Sequence, residues 1–117
     1  MAPLQTDWYP GLMARTRRFL DSHLPQLDVV LEVTDARGPR SCRWHGLPAL
    51  LQGKPRILIL NKADLADPLV TTAWRQRSEE VDGVPAVALS AVNSGDEARR
   101  QARELLEAIR GVAVRRA

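Results

Sequence analysis

Asn61-Lys62-Ala63-Asp64 follows directly on the apolar run Arg56-Ile57-Leu58-Ile59-Leu60. A carboxylate at the fourth position of such a loop can accept two hydrogen bonds from a ring edge carrying adjacent N–H and NH₂ donors. Guanine presents that edge and adenine does not. The Asn amide can bond the N7/O6 side of the same base and tie neighbouring loops together, and the Lys stem can lie along the base plane. A polar site left unpaired by the wrong base loses several kcal/mol, about 10⁴-fold or more in discrimination. Further along, Ala86-Val87-Ala88-Leu89 runs into Ser90-Ala91, a turn whose backbone N–H can meet guanine O6. Asn61, Lys62, Asp64, Ser90 and Ala91 are therefore the candidate base-binding residues.

The elements that must position these loops are legible from periodicity. Pro10 to Leu24 carries Leu12, Met13, Phe19, Leu20 and Leu24 on one helical stripe, with Arg15, Arg17 and Arg18 off it. Asp28–Thr34 reads as a first strand ending at Asp35-Ala36-Arg37-Gly38-Pro39, where Gly and Pro mark a loop. A short helix over His45–Leu51 leads through Gly53-Lys54-Pro55 to the second strand, Arg56–Leu60. Asp67-Pro68 is a helix start, Asp as N-cap and Pro at the first helical position. Leu69, Val70, Ala73, Trp74 and Val81 are the expected buried face of that helix. Ala86–Leu89 is the third strand. Ser94-Gly95-Asp96-Glu97 has the pattern of a capping box, opening a helix with Ala98, Ala102, Leu105, Leu106 and Ile109 on one side. Helices alternating with strands imply an α/β fold with a parallel sheet. Ligands of such sheets bind beyond the carboxyl ends of the strands, so Asp35-Ala36-Arg37, Asn61–Asp64 and Ser90-Ala91 should share one rim.

With 117 residues, 44% hydrophobic and 26% charged, the chain has the make-up of one globular domain at most. Its one cysteine, Cys42, excludes an internal disulfide framework and reads as a spectator thiol in a reducing compartment. No apolar run approaches the ~18 residues of a membrane span, and the first residues lack a signal-peptide core, so a cytoplasmic location without membrane contact is expected. A net charge of +3 and a pI near 9.7 come almost wholly from arginine, since only Lys54 and Lys62 are lysine. Arginine forks bond phosphate oxygens in pairs, which makes Arg15, Arg17 and Arg18 candidate RNA or ribosome contacts. His23, His45, Trp44 and Trp74 read as surface or packing residues. Asp35 with Arg37 reads as an ion pair or strand-end cap.

The chain resembles the circularly permuted ribosome-assembly GTPases of the bacterial YlqF/RbgA type. The resemblance rests on Trp8-Tyr9-Pro10-Gly11-x-Met13-Ala14-x-x-Arg17-Arg18 and on Asp28-Val29-Val30-x-Glu32-Val33-x-Asp35-Ala36-Arg37-x-Pro39. It continues through Gly53-Lys54-Pro55-Arg56, Asn61-Lys62-Ala63-Asp64-Leu65-Ala66-Asp67-Pro68 and Ala91-Val92-Asn93-Ser94. It implies a three-layer, P-loop-GTPase-like fold, circularly permuted so that the base-specificity loops precede the phosphate loop. Residues 1–117 would then be a single partial G domain, its guanine-specificity half. The function implied is GTP/GDP binding during assembly of the large ribosomal subunit, with the subunit and its rRNA as partners. The alternative is a non-hydrolysing RNA- or ribosome-binding module that retains the fold.

Two departures bear on chemistry. The family's usual His after Trp-Phe/Tyr-Pro-Gly is Leu12 here, and leucine cannot orient or deprotonate water. No Gly-x-x-x-x-Gly-Lys-Ser/Thr occurs, so nothing in these residues cradles the β- and γ-phosphates, and Mg²⁺ is expected only together with such a loop. Neither a catalytic residue nor a metal ligand is assigned, and the chain alone is not expected to hydrolyse GTP. A three-stranded half-sheet should also leave a strand edge open, inviting self-association.

Overall fold

The computed structural model describes residues 10–41, 46–51, 53–92 and 94–116. The readings of Trp8, Tyr9, Cys42, Trp44 and His45, and of the Leu12 and Met13 side chains, fall outside the described residues. In chain order the elements are α1 (Pro10–His23), β1 (Val30–Asp35), α2 (Leu47–Leu51), β2 (Arg56–Asn61), α3 (Pro68–Arg77), β3 (Ala86–Ala88) and α4 (Gly95–Arg116). The three strands form one parallel sheet in the order β1-β2-β3. Strand limits differ from the sequence reading by one or two residues. No helix among the described residues is long and apolar enough to cross a membrane.

The unbroken run Ile57-Leu58-Ile59-Leu60 becomes the central strand, buried on both faces. Leu58 and Leu60 join Ala36, Val84 and Ala86 on one face, where Trp74 of α3 packs. Ile57 and Ile59 join Val87 and Val112 on the other, beneath Leu105, Ala108 and Ile109 of α4. Helix, sheet and helix thus form three layers, as the resemblance implied.

Coverage stops short of β1. Leu31 and Val33 sit beside Ile57 and Ile59 in register, hence on the α4 face, yet they are 42% and 62% exposed. The buried residues of this strand are instead Glu32 and Thr34, on the opposite face. Arg56 Nη1 lies 3.7 Å from Glu32 Oε1, and the Thr34 hydroxyl donates to the Pro39 carbonyl at 3.3 Å.

The two sheet edges differ. Bonds from Val30 N–H to the Pro55 carbonyl and from Ala36 N–H to the Asn61 carbonyl turn the even-numbered β1 amides toward β2. The amides of Leu31 and Val33 therefore point outward along an edge that no described strand covers. On the far side, Arg75 Nε donates to the Ala86 carbonyl at 3.2 Å, and Arg75 Nη2 to Glu104 of α4 at 2.7 Å. That charged clamp occupies the β3 edge.

Three expected helix faces are corrected. Asp67 caps α3 as expected, accepting from Leu69 N–H at 2.9 Å with Pro68 in the first turn. Its inward residues, however, are Thr71 and Ser78, with Trp74 half-buried, whereas Ala73 is exposed and Leu69, Val70 and Val81 are 81%, 48% and 67% exposed. Ser78 can face inward because its hydroxyl donates to the Val84 carbonyl at 2.7 Å. Beyond it the helix widens into a π-turn, Ser78–Asp82, stopped by Gly83 at φ 68°. On α4 the inward stripe runs through Gln101, Leu105, Ala108, Ile109 and Val112, leaving Ala102 and Leu106 exposed. Burial of Val112 near the end of the helix fixes that rotation. On α1, Phe19 is 60% exposed and stacks on His23 with ring centroids 4.1 Å apart; among the described side chains of the expected stripe Leu20 is half-buried and Leu24, in the turn that follows, is buried.

These faces separate two leucine truncations. Leu60→Ala, in the fully buried strand, should lower unfolding free energy by about 2–5 kcal/mol. Leu69→Ala should stay within about 0.5 kcal/mol of the parent. Urea unfolding of both variants measures this, and a large loss for Leu69→Ala would overturn the assigned α3 face.

Candidate site at the carboxyl rim of the sheet

β2 ends at Asn61 because the next residue, Lys62, adopts a left-handed conformation (φ 60°, ψ 34°), uncommon for a residue with a side chain. The reversal starts a 3₁₀ turn, Ala63–Leu65, closed by Leu65 N–H on the Lys62 carbonyl at 2.9 Å. Ala63 N–H reaches across to the Leu89 carbonyl at 3.1 Å, which fastens this loop to the end of β3.

Asn61 binds both neighbouring loops. Its backbone carbonyl accepts from Ala36 N–H at 2.7 Å, and its side-chain Oδ1 accepts from Ala91 N–H at 3.1 Å. The structure thus brings together the loops that follow all three strands. The Ala91 N–H, one of the two in the Ser90-Ala91 turn, is thus taken by Asn61. Asp64 is exposed in the 3₁₀ turn and makes no hydrogen bond or ion pair to any described residue. Ser90 is buried, and its N–H donates to Gln101 Oε1 of α4 at 3.1 Å. Gln101 in turn donates to Glu97. Gln101 was not among the expected site residues, since a glutamine within a helical pattern carries no sign of its partner.

Asp64 and Ser90 line a cleft of about 420 Å³ between α3 and α4, together with Thr71, Arg75, Arg100 and Gln101. The buried Thr71 hydroxyl there lacks a hydrogen-bond partner among the described residues. A larger cleft of about 660 Å³ lies at the other pole of the sheet, around Lys54, Arg56 and Gly83, and holds none of the expected site residues. Among the described residues no cluster of three or more His, Cys, Asp or Glu could hold a metal ion.

Charge on the rim is concentrated at Asp35, opposite Asn61 in register. Arg37 donates through Nη2 to Oδ2 at 2.7 Å, through Nε to Oδ1 at 3.0 Å, and through its backbone N–H to Oδ1 at 2.9 Å. Asp35 is therefore both ion-pair partner and strand-end cap. Lys62 Nζ stands 3.6 Å from Oδ2. The Arg37 side-chain bonds, then its backbone bond, hold the Asp35 carboxyl well below the usual carboxylate range, and the Lys62 charge adds to this. A depressed native value means that Asp35 contributes stability above about pH 4, where an unfolded aspartate is already ionised, and loses it only in stronger acid. Along α4, Arg100 and Gln101 likewise lower Glu97. Arg15, Arg17 and Arg18 are all exposed on α1.

This arrangement offers a free carboxylate, an amide that bridges two loops, and a lysine stem lying across a strand end. Those groups can recognise a flat polar ring, and they supply neither a nucleophile nor a phosphate cradle. The chain is 48% identical over 87 residues to the Ribosome biogenesis GTPase A of Bacillus licheniformis, a match covering 74% of this chain and 30% of the relative. It is 45% identical over 73 residues to the Mitochondrial ribosome-associated GTPase 1 of Mus musculus, covering 62% and 22%. Against Short integuments 2, mitochondrial, of Arabidopsis thaliana it is 41% identical over 73 residues, covering 62% and 19%. The chain thus spans less than a third of the length of these relatives. No family model matches it.

Proposed function

We propose, for a chain that belongs to the ribosome biogenesis GTPases of the YlqF/RbgA type as an N-terminal part of such a protein, that residues 1–117 form one partial, circularly permuted G domain carrying the guanine-recognition half of a GTP/GDP site. The observation that carries this reading is the Asn61 bridge to Ala91, which locks the two base loops side by side and leaves the Asp64 carboxylate free at the rim. In this reading Asp64 accepts from guanine N1–H and N2–H₂, Lys62 lies along the base, and the Ser90-Ala91 turn, held beside the loop by Asn61 Oδ1, faces the O6 side. Hydrolysis and Mg²⁺ belong with a phosphate loop, which these residues do not contain. The relatives' names support work on the ribosome, which we place in the cytoplasm on the large subunit.

Two surfaces serve that role. The exposed Arg15, Arg17 and Arg18 of α1 are proposed to contact rRNA phosphates. The open β1 edge, with Leu31 and Val33 beside it, is proposed to join a second copy when nothing else covers it.

Titration with fluorescent GDP and ADP should show a guanine preference of at least about tenfold. Asp64→Asn should abolish that preference and admit xanthine, whose 2-oxo group pairs with an amide. Equal binding of guanine and adenine by the parent protein would sink the base-recognition claim. Replacing Arg15, Arg17 and Arg18 together should flatten the salt dependence of rRNA binding by about two to three units of log–log slope; an unchanged slope removes α1 from the interface. Sedimentation should show the 13.0 kDa chain moving toward twice that mass as concentration rises. Val33→Lys should hold it monomeric, and a parent protein monomeric at high concentration would show the edge to be covered.

A further inference from the structure

Lysine in the recognition loop has a conformational problem. Its long stem has many rotamers, and an exposed ammonium is as well solvated in one as in another. A loop that uses this stem as a surface against a ring needs something to choose among them. Lys62 is 53% exposed and sits in a left-handed backbone conformation that neighbouring bonds must sustain.

The anion that makes the choice lies on the adjacent strand. Asp35 is the register partner of Asn61, one residue before Lys62, so the parallel pairing of β1 and β2 delivers a carboxylate to the side of the loop. That carboxylate is itself immobilised. Arg37 holds both of its oxygens and its own backbone N–H adds a further bond, while Ala36 N–H ties the same turn to the Asn61 carbonyl. Lys62 Nζ approaches Oδ2 at 3.6 Å, near enough to be drawn across the strand ends and too far to be locked as a short hydrogen bond. The stem is aimed and can still settle when a ring arrives.

We propose that Asp35 is a positioning residue for the base site, acting through Lys62: its Arg37-braced carboxylate orients the lysine stem over the rim where the base is read. The inference rests on the reading of Asn61–Asp64 as a guanine site and adds to it a residue outside both base loops. Arg37 then serves as the brace of Asp35 rather than as a ligand.

The chain holds only two lysines, Lys54 and Lys62. Protein grown with lysine labelled at ¹³Cε therefore gives two signals, and Lys54, whose ammonium donates to the Leu27 carbonyl at 2.9 Å, is an internal reference. In the ligand-free 117-residue chain, Asp35→Asn should move the Lys62 signal and leave that of Lys54 in place; an unmoved Lys62 signal overturns the contact. Fluorescent GDP titrations of Asp35→Asn, Lys62→Ala and the double variant then test the role. Each single change should weaken binding about two- to fivefold, and the double should be no weaker than Lys62→Ala, because both remove one effect. Asp35→Glu should recover part of the loss. Additive losses, with guanine preference intact in the parent, overturn the positioning role alone. A parent that shows no guanine preference defeats the base-site reading and this inference with it. Thermal melting of each variant separates these results from misfolding, since the amide introduced by Asp35→Asn retains an oxygen to accept the Arg37 backbone N–H.

Discussion

Burial of β2 on both faces is the constraint on which the rest of the structure depends. Four consecutive residues, Ile57 to Leu60, are at most 3% exposed, and a strand so enclosed can satisfy its backbone only through ladders on both sides. Those ladders bring β1 and β3 parallel to it in fixed register. Fixed register then decides which polar residues meet at the carboxyl rim. Asp35 and Asn61 are neighbours because Val33 and Ile59 are, and a slip of one residue would turn the apolar set of β1 to the other face.

From that alignment the rim acquires its order without a dense core of its own. Asn61 is half in the strand and half in the loop, so its backbone serves the ladder while its amide serves the turn after β3. The left-handed Lys62 ends the strand abruptly and leaves Asp64 in solvent. Gln101 comes from the inward stripe of α4 and supplies the acceptor that the buried Ser90 N–H requires. Each sheet-covering helix thus has two tasks: α4 packs the Ile57–Ile59 face and holds the second loop, and α3 packs the Leu58–Leu60 face and seals the β3 edge.

What can be read from the residues is what depends on chain-local pattern. The strand–loop–helix order, the Asp67-Pro68 cap and the convergence of three loops follow from runs, turn residues and parallel topology, and they stand in the structure. What depends on which neighbour covers a surface cannot be read this way. Leu31 and Val33 look like core, yet α4 does not extend over β1, whereas Glu32 looks like surface and is buried beside Arg56. The α3 face escapes the pattern because Thr71 and Ser78 are polar, and hydrophobicity does not register a hydroxyl such as that of Ser78, which bonds a carbonyl across a turn. The ties of Gln101 to Ser90 and of Lys62 to Asp35 span 11 and 27 positions, a separation at which sequence pattern carries no signal.

The Arg75 clamp on β3 has a consequence for how the sheet can extend. Runaway strand stacking needs a molecule with two free flanks, one to give and one to receive. Among the described residues one flank carries a guanidinium shared between a strand carbonyl and a glutamate, and the other flank is uncovered. Such a molecule can be completed by one more strand or closed off by one partner, and a head-to-tail fibre is denied its second contact. Among the described residues the sheet is asymmetric in its flanks as well as directional in strand sense: bonded to a side chain on one side and bare on the other.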